Sequence, residues 1–362
     1  AGMSYAEADG FRRAMTHDRT ESEMGNMRDA FISCAKKNNV SRNIAETVFE
    51  QLAAFAAYGF CKAHAYAYAV LSYQTLWLKY HYPAEFFAAL LSNQPMGYYP
   101  PRVLIAEARR CGVKILPLDI NRSLDRYSVE NGAIRIGLNQ LKGITGEAVE
   151  SMMQERERNK FSSLRDFVVR AEVSQPILEN LIRVGALDSF GDRKDMLLEL
   201  PYLLQLKRKR GKNGKPLFEE IEPEISLCLG DQCHDIKRNL LAERELLSLD
   251  ISAHPLDFFN LTDDFTRIKD LPLVITGKTV KIAGSVIRYQ TPPMRNGKRV
   301  VYIIMEDGTG VADVTVFSDV QEKCGHILFR SGWLMVEGKI QRRGKKALSI
   351  IAQDLSTLKG PT

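Results

Sequence analysis

The stretch YGFCKAHAYAYA, residues 58 to 69, combines residue types that can bind an anionic ligand. Its chemically distinctive residues are Gly59, Lys62, His64, Tyr66 and Tyr68. The lysine supplies a cation, the histidine an imidazole and the tyrosines flat faces, while the glycine permits close approach to the backbone. The same pattern is typical of an ordinary helix start, where a Lys-x-His pair is a solvated end or a satisfied core histidine. Taken alone, the stretch favours the ordinary interpretation.

Two glycine turns farther along the chain have the pattern of helix-hairpin-helix elements. In IGLNQLKGITGEAVESM the turn separates two helical segments, and LIRVGALDSF repeats the arrangement. Backbone N–H groups at such a turn and at the next helix N-terminus point toward an anion, and glycine leaves room for a DNA backbone. Ordinary helical hairpins are the alternative. The residues expected to contact DNA are Lys142, Gly143, Ile144, Thr145, Gly146, Arg183 and Gly185.

Apolar and polar residues alternate from residue 278 to 358, which predicts five strands. A helical stretch, DVQEKCGHILF, separates the third strand from the fourth. This order fits an oligonucleotide/oligosaccharide-binding (OB) barrel, in which the loops between strands one and two and between strands four and five bind nucleic acid. Both loops are basic here, which favours contact with a nucleic-acid backbone, although basic tips often serve solubility alone. Their cations are Arg295, Lys298, Arg299, Arg342, Arg343, Lys345 and Lys346.

Residues 205 to 225 change from cations to glutamates without any hydrophobic period, which predicts a solvated linker. Within this linker, GKPLFEE places Leu217 and Phe218 among polar residues. Such an exposed pair can dock in a hydrophobic groove of a partner, and a plain mobile segment is the alternative.

Composition indicates a globular protein of several domains. A chain of 362 residues exceeds one ordinary core, and its net charge of +6 is compatible with a polyanionic partner without requiring one. The 6 cysteines lack a repeating spacing, which favours reduced thiols in the cytoplasm. CLGDQCH has no second Cys/His pair, so a zinc site is not expected.

The region that contains the opening stretch is predicted to be helical. No run reaches the roughly 20 apolar residues that a membrane span needs, so VLSYQTLWLKYHY is expected to be a buried helix that ends at Pro83. VKILPLDI is predicted to be a strand. The first residues already have a mid-helix pattern, so we expect a piece of a longer protein.

Several stretches, in this order and over nearly the whole chain, resemble the C-terminal half of the alpha subunit of bacterial C-family DNA polymerases. They are EADGFRRAM, AAYGFCKAHAYAYAVLSYQTLWLKYHYPAEFFAALL, GLNQLKGITGEAVESM, FSSLRDFVVRA, LENLIRVGALDSF and SAHPLDF, followed by the barrel strands. SNQPMGYYPPRVLIAEARRCGVKILPLDINRS is most similar to the error-prone, translesion branch of that family.

The resemblance implies a multidomain α+β fold, in which all-α fingers and a tandem helix-hairpin-helix region precede a five-stranded OB barrel. The implied domains are fingers at residues 1–115, hairpins at 116–200, a charged linker with connecting helices at 201–274, and the barrel at 275–362. The whole protein would be a cytoplasmic DNA-directed DNA polymerase, a nucleotidyltransferase of replication or translesion repair. Its expected partners are duplex primer-template DNA, single-stranded template, dNTP and a sliding clamp, with no membrane.

The fingers of this family close over the incoming dNTP, which implies a role for the opening stretch. Arg12 and Arg13 of FRRAM, with Lys62, are the matching cations for the triphosphate, and guanidinium groups suit a phosphate of several oxygens. His64 and the two tyrosines would form a wall for the base or sugar. Many members carry Asn-Lys-Ser-His where this chain has Cys-Lys-Ala-His, which leaves the roles of the small residues open.

The resemblance also implies which parts of the polymerase lie outside this chain. The family's palm, with its metal-binding aspartates and Mg²⁺, would precede residue 1, so we expect no catalytic residue, metal ligand or cofactor in this chain and no activity from it alone. Leu217 and Phe218 match the end of a clamp motif but lack the leading glutamine, which predicts weak binding. A non-catalytic nucleic-acid-binding scaffold is the alternative function. The sequence does not separate a main replicase from a translesion enzyme.

Overall fold

The computed structural model describes residues 1–15, 21–56, 62–213, 232–259, 261, 264–292, 299–344 and 347–358. Two compact units divide the chain, Ala1–Tyr80 and His81–Thr362. None of the helices in the described ranges combines the length and the apolar character that crossing a membrane requires. The predicted domain bounds stay predictions.

The first unit is helical. Its elements are α1 (Tyr5–Met15), α2 (Glu21–Lys37), α3 (Arg42–Ala56) and α4 (Lys62–His81), whose last residue belongs to the second unit. The rings of Phe11, Phe31 and Phe49 join α1, α2 and α3, with centroids 5.7 to 6.0 Å apart.

The expectation that α4 is a buried helix is wrong for this structure. Apolar residues lie on all sides of α4, a distribution typical of a buried helix, yet none of its residues is buried. The core of the first unit is built from α1 to α3 and the segments beside them, and it holds no residue of α4. A helix end at Pro83 is confirmed, because α4 stops at His81 and α5 begins with this proline.

The helical part of the second unit surrounds one buried core. The helices are α5 (Pro83–Ser92), α6 (Pro101–Arg110), α7 (Gly146–Arg158), α8 (Leu164–Arg170), α9 (Gln175–Arg183), α10 (Arg193–Asn213) and α11 (Gln232–Leu246). Phe87, Ile105, Phe167 and Leu181 are among its fully buried side chains. Helix α10 continues to Asn213, into the segment that was predicted to be linker.

A small sheet lies between α6 and α7, and most of it was not predicted. Its strands β1 (Ile115–Leu116), β2 (Ser128–Glu130) and β3 (Ala133–Arg135) are ordered β1-β3-β2. Arg135 is only 4% exposed and donates two hydrogen bonds to Glu130, each of 2.9 Å. Strands of two or three residues are too short to show a period, and the charged Arg135 interrupts the apolar pattern.

The predicted five-stranded barrel is confirmed. Strands β4 (Thr279–Gln290), β5 (Val301–Glu306), β6 (Val311–Val316), β7 (Trp333–Arg343) and β8 (Ala347–Thr357) close in the order β4-β5-β6-β8-β7. Helix α12 (Ser318–Leu328) follows the third strand, as expected. Every pairing is antiparallel except that of β6 with β8. The inward residues of all five strands meet in one core, which explains the alternation in the sequence, although register shifts interrupt it in β4 and β7.

Candidate nucleic-acid interface

The first glycine turn is open to solvent. Gly143 has φ +79°, and Thr145 caps α7 by accepting a 3.2 Å hydrogen bond from the backbone N–H of Ala148. A Cβ added at Gly143 or at Gly146 would meet no heavy atom within 4 Å. Ile144, which packs against the core, fixes the turn from beneath. The backbone of this turn is therefore accessible in the way that a phosphate contact requires.

Lys142, the cation beside this turn, is joined to the end of α11. Its backbone N–H donates to the Leu246 carbonyl at 2.8 Å, and its Nζ donates to the Glu245 carbonyl at 2.7 Å. The side chain remains exposed. An ammonium has three donors, so one bond to a carbonyl still permits a phosphate contact.

The second turn is filled by its own neighbours. Gly185 has φ +82°, and a Cβ there would lie 2.0 Å from Nη2 of Arg193 and 2.7 Å from Oδ2 of Asp188. Arg193 and Asp188 form a salt bridge of 2.6 Å over this glycine. Gly185 therefore makes room for an internal ion pair, whereas Gly143 faces open space. The contact of Gly185 with DNA stays a prediction.

Glu245 brings the cations of the two turns together. Nη2 of Arg183 lies 2.5 Å from Oε2 of Glu245, and the backbone carbonyl of Glu245 accepts a hydrogen bond from Nζ of Lys142. The hydrogen bond from Arg183 lowers the pKa of this carboxyl, and the charges of Arg183 and Lys142 lower it further. No pattern in the sequence indicates that α11 belongs to the interface, because Glu245 is more than 60 residues away from Arg183 along the chain.

A polar cleft of about 280 Å³ opens beside the second turn. Arg183, Arg193, Lys194 and Arg238 supply its cations, and Asp188 and Asp192 its carboxylates. The guanidinium of Arg193 is engaged inside the protein, because its Nη1 donates to Asn239 Oδ1 at 2.7 Å and to the Arg183 carbonyl at 3.1 Å. This cleft is consequently a mixed-charge surface and not a purely cationic one.

The barrel cations have different environments. Arg299 is exposed, two residues before β5. Arg342 is half-buried, and its Nη2 donates to the carbonyls of Pro272 and Val274 at 2.7 and 2.8 Å, so it fixes the segment that precedes β4. Arg343 lies at the end of β7, and its backbone pairs with Ala347. The other predicted site residues of the two loops, the linker and the opening stretch lie outside the described residues; they are Gly59, Leu217, Phe218, Arg295, Lys298, Lys345 and Lys346.

The predicted nucleotide contacts lie on two helices of the first unit. Arg12 and Arg13 on α1 both pair with Asp9, each with its Nη2 2.8 Å from an Asp9 oxygen. The hydrogen bond from Arg12 lowers the pKa of the Asp9 carboxyl, and the charges of both arginines add to this effect. Lys62, His64, Tyr66 and Tyr68 are exposed along the first turns of α4. The rings of His64 and Tyr68, one helical turn apart, lie 4.5 Å apart in an edge-to-face contact.

An aromatic contact that was not predicted joins the connector before α6 to the barrel. The guanidinium carbon of Arg288, on β4, lies 3.4 Å from the ring centroid of Tyr98. The two residues are far apart in the chain, and no local pattern links them. YYPP alone indicates only a turn.

The segment between α11 and the barrel fixes the two parts of the second unit to each other. Nε2 of His254 lies 3.3 Å from Oε2 of Glu306 on β5. Its Nδ1 accepts the Leu256 N–H at 3.3 Å. On the other side, Arg109 of α6 donates to the carbonyls of Asp250 and Ile251 at 3.0 and 2.6 Å. The stretch SAHPLDF therefore lies in a segment that joins the helical part of the second unit to the barrel.

The profile of the helix-hairpin-helix motif matches residues 112–197, and that of the OB-fold nucleic acid binding domain matches residues 280–358. Error-prone DNA polymerase of Symbiobacterium thermophilum is 34% identical over an alignment of 393 positions. This alignment covers 95% of this chain and 36% of that protein. DNA polymerase III subunit alpha of Thermus aquaticus is 36% identical over an alignment of 372 positions, which covers 99% of this chain and 30% of that protein. The chain spans about a third of the length of these curated relatives.

Among solved structures, a mitochondrial single-stranded DNA binding protein of S. cerevisiae matches 24% of this chain and 99% of its own. The sequence identity is 19% and the TM-score 0.20, which is too low to support an inference.

Proposed function

Because the chain belongs to the family of bacterial DNA polymerase III alpha subunits and error-prone DNA polymerases, with a match to about a third of their length, we propose that it is the fingers and DNA-binding part of a template-directed DNA polymerase. The observation that carries the proposal is the match over 95 to 99% of the chain, which includes a helix-hairpin-helix region followed by a closed barrel. The process is DNA replication or error-prone translesion synthesis in the cytoplasm.

The hairpin region binds duplex primer-template DNA, and the barrel binds the single-stranded template. The open turn at Gly143 supports the first role, because its backbone is unobstructed next to the cation of Lys142. The exposed Arg299 beside the first barrel loop supports the second. Both interactions act on the phosphate backbone and therefore tolerate any base sequence.

The first unit binds the incoming dNTP. Arg12 and Arg13 orient the triphosphate with Lys62, and His64, Tyr66 and Tyr68 face the base or sugar. The shared pairing of the two arginines with Asp9 supports this role, because it holds two exposed guanidinium groups side by side. In the complete polymerase, Arg13→Ala and Lys62→Ala then lower incorporation efficiency while each variant keeps its melting temperature. Wild-type kinetics in both variants would rule out this role.

We assign the phosphoryl transfer itself to a palm in another part of the polymerase, where Mg²⁺ would neutralise the developing charge. The residues of this chain bind and orient DNA and nucleotide, so the chain alone extends no primer. Leu217 and Phe218 act as a weak clamp tether. Titration of a peptide of residues 211 to 222 against a bacterial sliding clamp tests the tether, and binding that is unchanged by the double substitution to alanine would refute it.

Substitution of Gly143 tests the DNA-binding role. Gly143→Ala adds a methyl group at the proposed phosphate contact, and we expect duplex affinity to fall by about threefold to tenfold, the loss of one or two hydrogen bonds. Gly112 is a matched control because it has φ +81° and the same open surroundings at the end of α6. Both substitutions place alanine in a left-handed conformation and should cost about 1–2 kcal/mol of stability.

Fluorescence anisotropy with a labelled duplex measures the affinities, and thermal melting measures the stabilities. Equal DNA affinity for Gly143→Ala and Gly112→Ala would show that the first turn has no contact with DNA.

A further inference from the structure

The connector between α5 and α6 places an aromatic ring on the outer surface of the barrel. The ring of Tyr98 lies over the Arg288 guanidinium, with 3.4 Å from centroid to carbon, a stacking distance. Tyr98 is nevertheless 67% exposed, so the ring face turned away from Arg288 is accessible. Nη1 of Arg288 is buried without a hydrogen-bond partner among the residues that the structure describes. The guanidinium is therefore stacked on Tyr98 while its Nη1 makes no hydrogen bond to a described residue.

The barrel continues this surface with a second exposed aromatic ring. In the pairing of β4 with β5, Arg288 lies opposite Ile304 and Gln290 lies opposite Tyr302. Directly opposed residues share one face of a sheet, and residues two apart on a strand share it too. Tyr302 is 36% exposed. The two tyrosines therefore belong to one outward surface, with the arginine between them.

Strand β4 has an irregularity at this position. Its register against β5 shifts between Val286 and Arg288, which is a β-bulge. Bulges re-aim side chains and are common beside functional sites. Here the residue after the bulge is the one that supports Tyr98.

The chemistry of this surface fits a nucleobase. Aromatic side chains with one open face stack on bases of any sequence, and a positive groove beside them follows the phosphates. Among the described residues Arg288 has no ion pair with a carboxylate, so its charge remains available to a polyanion, and the exposed Arg299 precedes β5. Asp313, opposite Ile304 on β6, is the acidic edge of the surface. A single strand of DNA that crosses this surface would place its bases on the tyrosines and keep its phosphates away from Asp313.

We infer that Tyr98 is a base-stacking residue for single-stranded DNA, which extends the binding surface of the barrel through Arg288 and Tyr302 to the connector outside it. This inference rests on the proposed role of the barrel in binding single-stranded template. It adds a residue from outside the barrel and a mode of contact that the charged loops alone do not provide.

The experiment uses the chain of residues 1–362 and two labelled oligonucleotides of equal length, one of ordinary bases and one that is abasic at every position. We expect Tyr98→Ala to weaken binding to the ordinary oligonucleotide by about fivefold or more, the loss of one stacked base. Tyr98→Phe keeps the ring and should bind like the wild type. On the abasic oligonucleotide the wild type and Tyr98→Ala should bind equally, because only phosphate contacts are left.

Tyr99→Ala is the matched control, since Tyr99 is the adjacent exposed tyrosine of the same connector. A second measurement follows 2-aminopurine in the oligonucleotide, whose fluorescence the wild type should quench and Tyr98→Ala should not. Wild-type affinity of Tyr98→Ala, or an equal loss on the abasic oligonucleotide, overturns the inference while the proposed role of the barrel stands. Failure of the wild-type chain to bind either oligonucleotide refutes that role, and the inference with it.

Discussion

At the scale of single residues, Glu245 offsets part of the positive charge beside the two glycine turns. Its carboxylate holds Arg183 at 2.5 Å, and its charge also acts on Lys142. We expect Glu245→Gln to raise duplex affinity about twofold to fivefold and to steepen the dependence of log affinity on log salt by up to about 0.9, the value for one more neutralised phosphate.

The control for this prediction is Glu157→Gln, which removes the same charge from an exposed position at the far end of α7. Binding measured between low and moderate salt gives both the affinity and the slope. An identical rise for the two variants would mean that only the net charge matters, and a fall for Glu245→Gln would mean that the ion pair supports the binding geometry.

The sequence identified the residue types of the interface but not their partners. Gly143 and Gly185 have the same sequence pattern, yet Gly143 faces open space and Gly185 is covered by the ion pair of Arg193 with Asp188. The difference depends on a residue that reaches back from α10, and spacing within a turn carries no information about it. Tyr98 was missed for the same reason, because its significance lies in a distant guanidinium.

At the scale of elements, the segment before the barrel is held by a buried carboxylate on β5. Burial alone would raise the pKa of Glu306, but hydrogen bonds from His254, Ser285 and the Gly308 N–H outweigh it and lower the pKa to about 2. The Ser285 Oγ donates at 2.6 Å and the Gly308 N–H at 2.9 Å. Because the folded pKa lies below the ordinary value of 4.5, folding favours the ionised form.

This stabilisation is fully present above about pH 4.5 and is lost as the pH falls toward 2, and its size at neutral pH is on the order of 3 kcal/mol. We therefore expect Glu306→Gln to lower barrel stability at pH 7 and to show a flatter stability curve between pH 5 and 3 than the wild type. Urea unfolding followed by Trp333 fluorescence in a Trp77→Phe background measures this, since these are the 2 tryptophans of the chain. If the stabilities of the wild type and Glu306→Gln fell in parallel between pH 5 and 3, groups other than Glu306 would cause the acid sensitivity.

The sequence predicted elements best where one face alone is buried. The strands of the barrel alternate because each has an inner and an outer face, and all five were found. The strands β2 and β3 have three residues each, too few to show a period, and Arg135 interrupts the apolar pattern. The exposure of α4 could not be predicted, because apolar residues on all sides of a helix normally indicate burial.

At the scale of the whole molecule, the order of modules followed from the sequence, whereas the joint between two of them required the structure. Within the second unit, Arg109 connects α6 to the segment after α11, and His254 connects that segment to β5. The ring of His254 also packs over Gly308, where a Cβ would come within 2.9 Å of it. The hairpin region and the barrel are thus held by a small set of polar contacts.

This joint predicts a preference for primer-template junctions. When two binding modules are held at a fixed spacing, the second contact is intramolecular, so a junction with duplex and single-stranded parts should bind about tenfold or more tightly than either part alone. His254→Ala removes the contact with Glu306 and should reduce this preference while leaving the affinities for separate duplex and single strand unchanged. Competition binding with three oligonucleotides of equal total charge measures it. A junction that binds no better than duplex DNA, or a preference that His254→Ala leaves intact, would show that the two modules bind DNA independently of this joint.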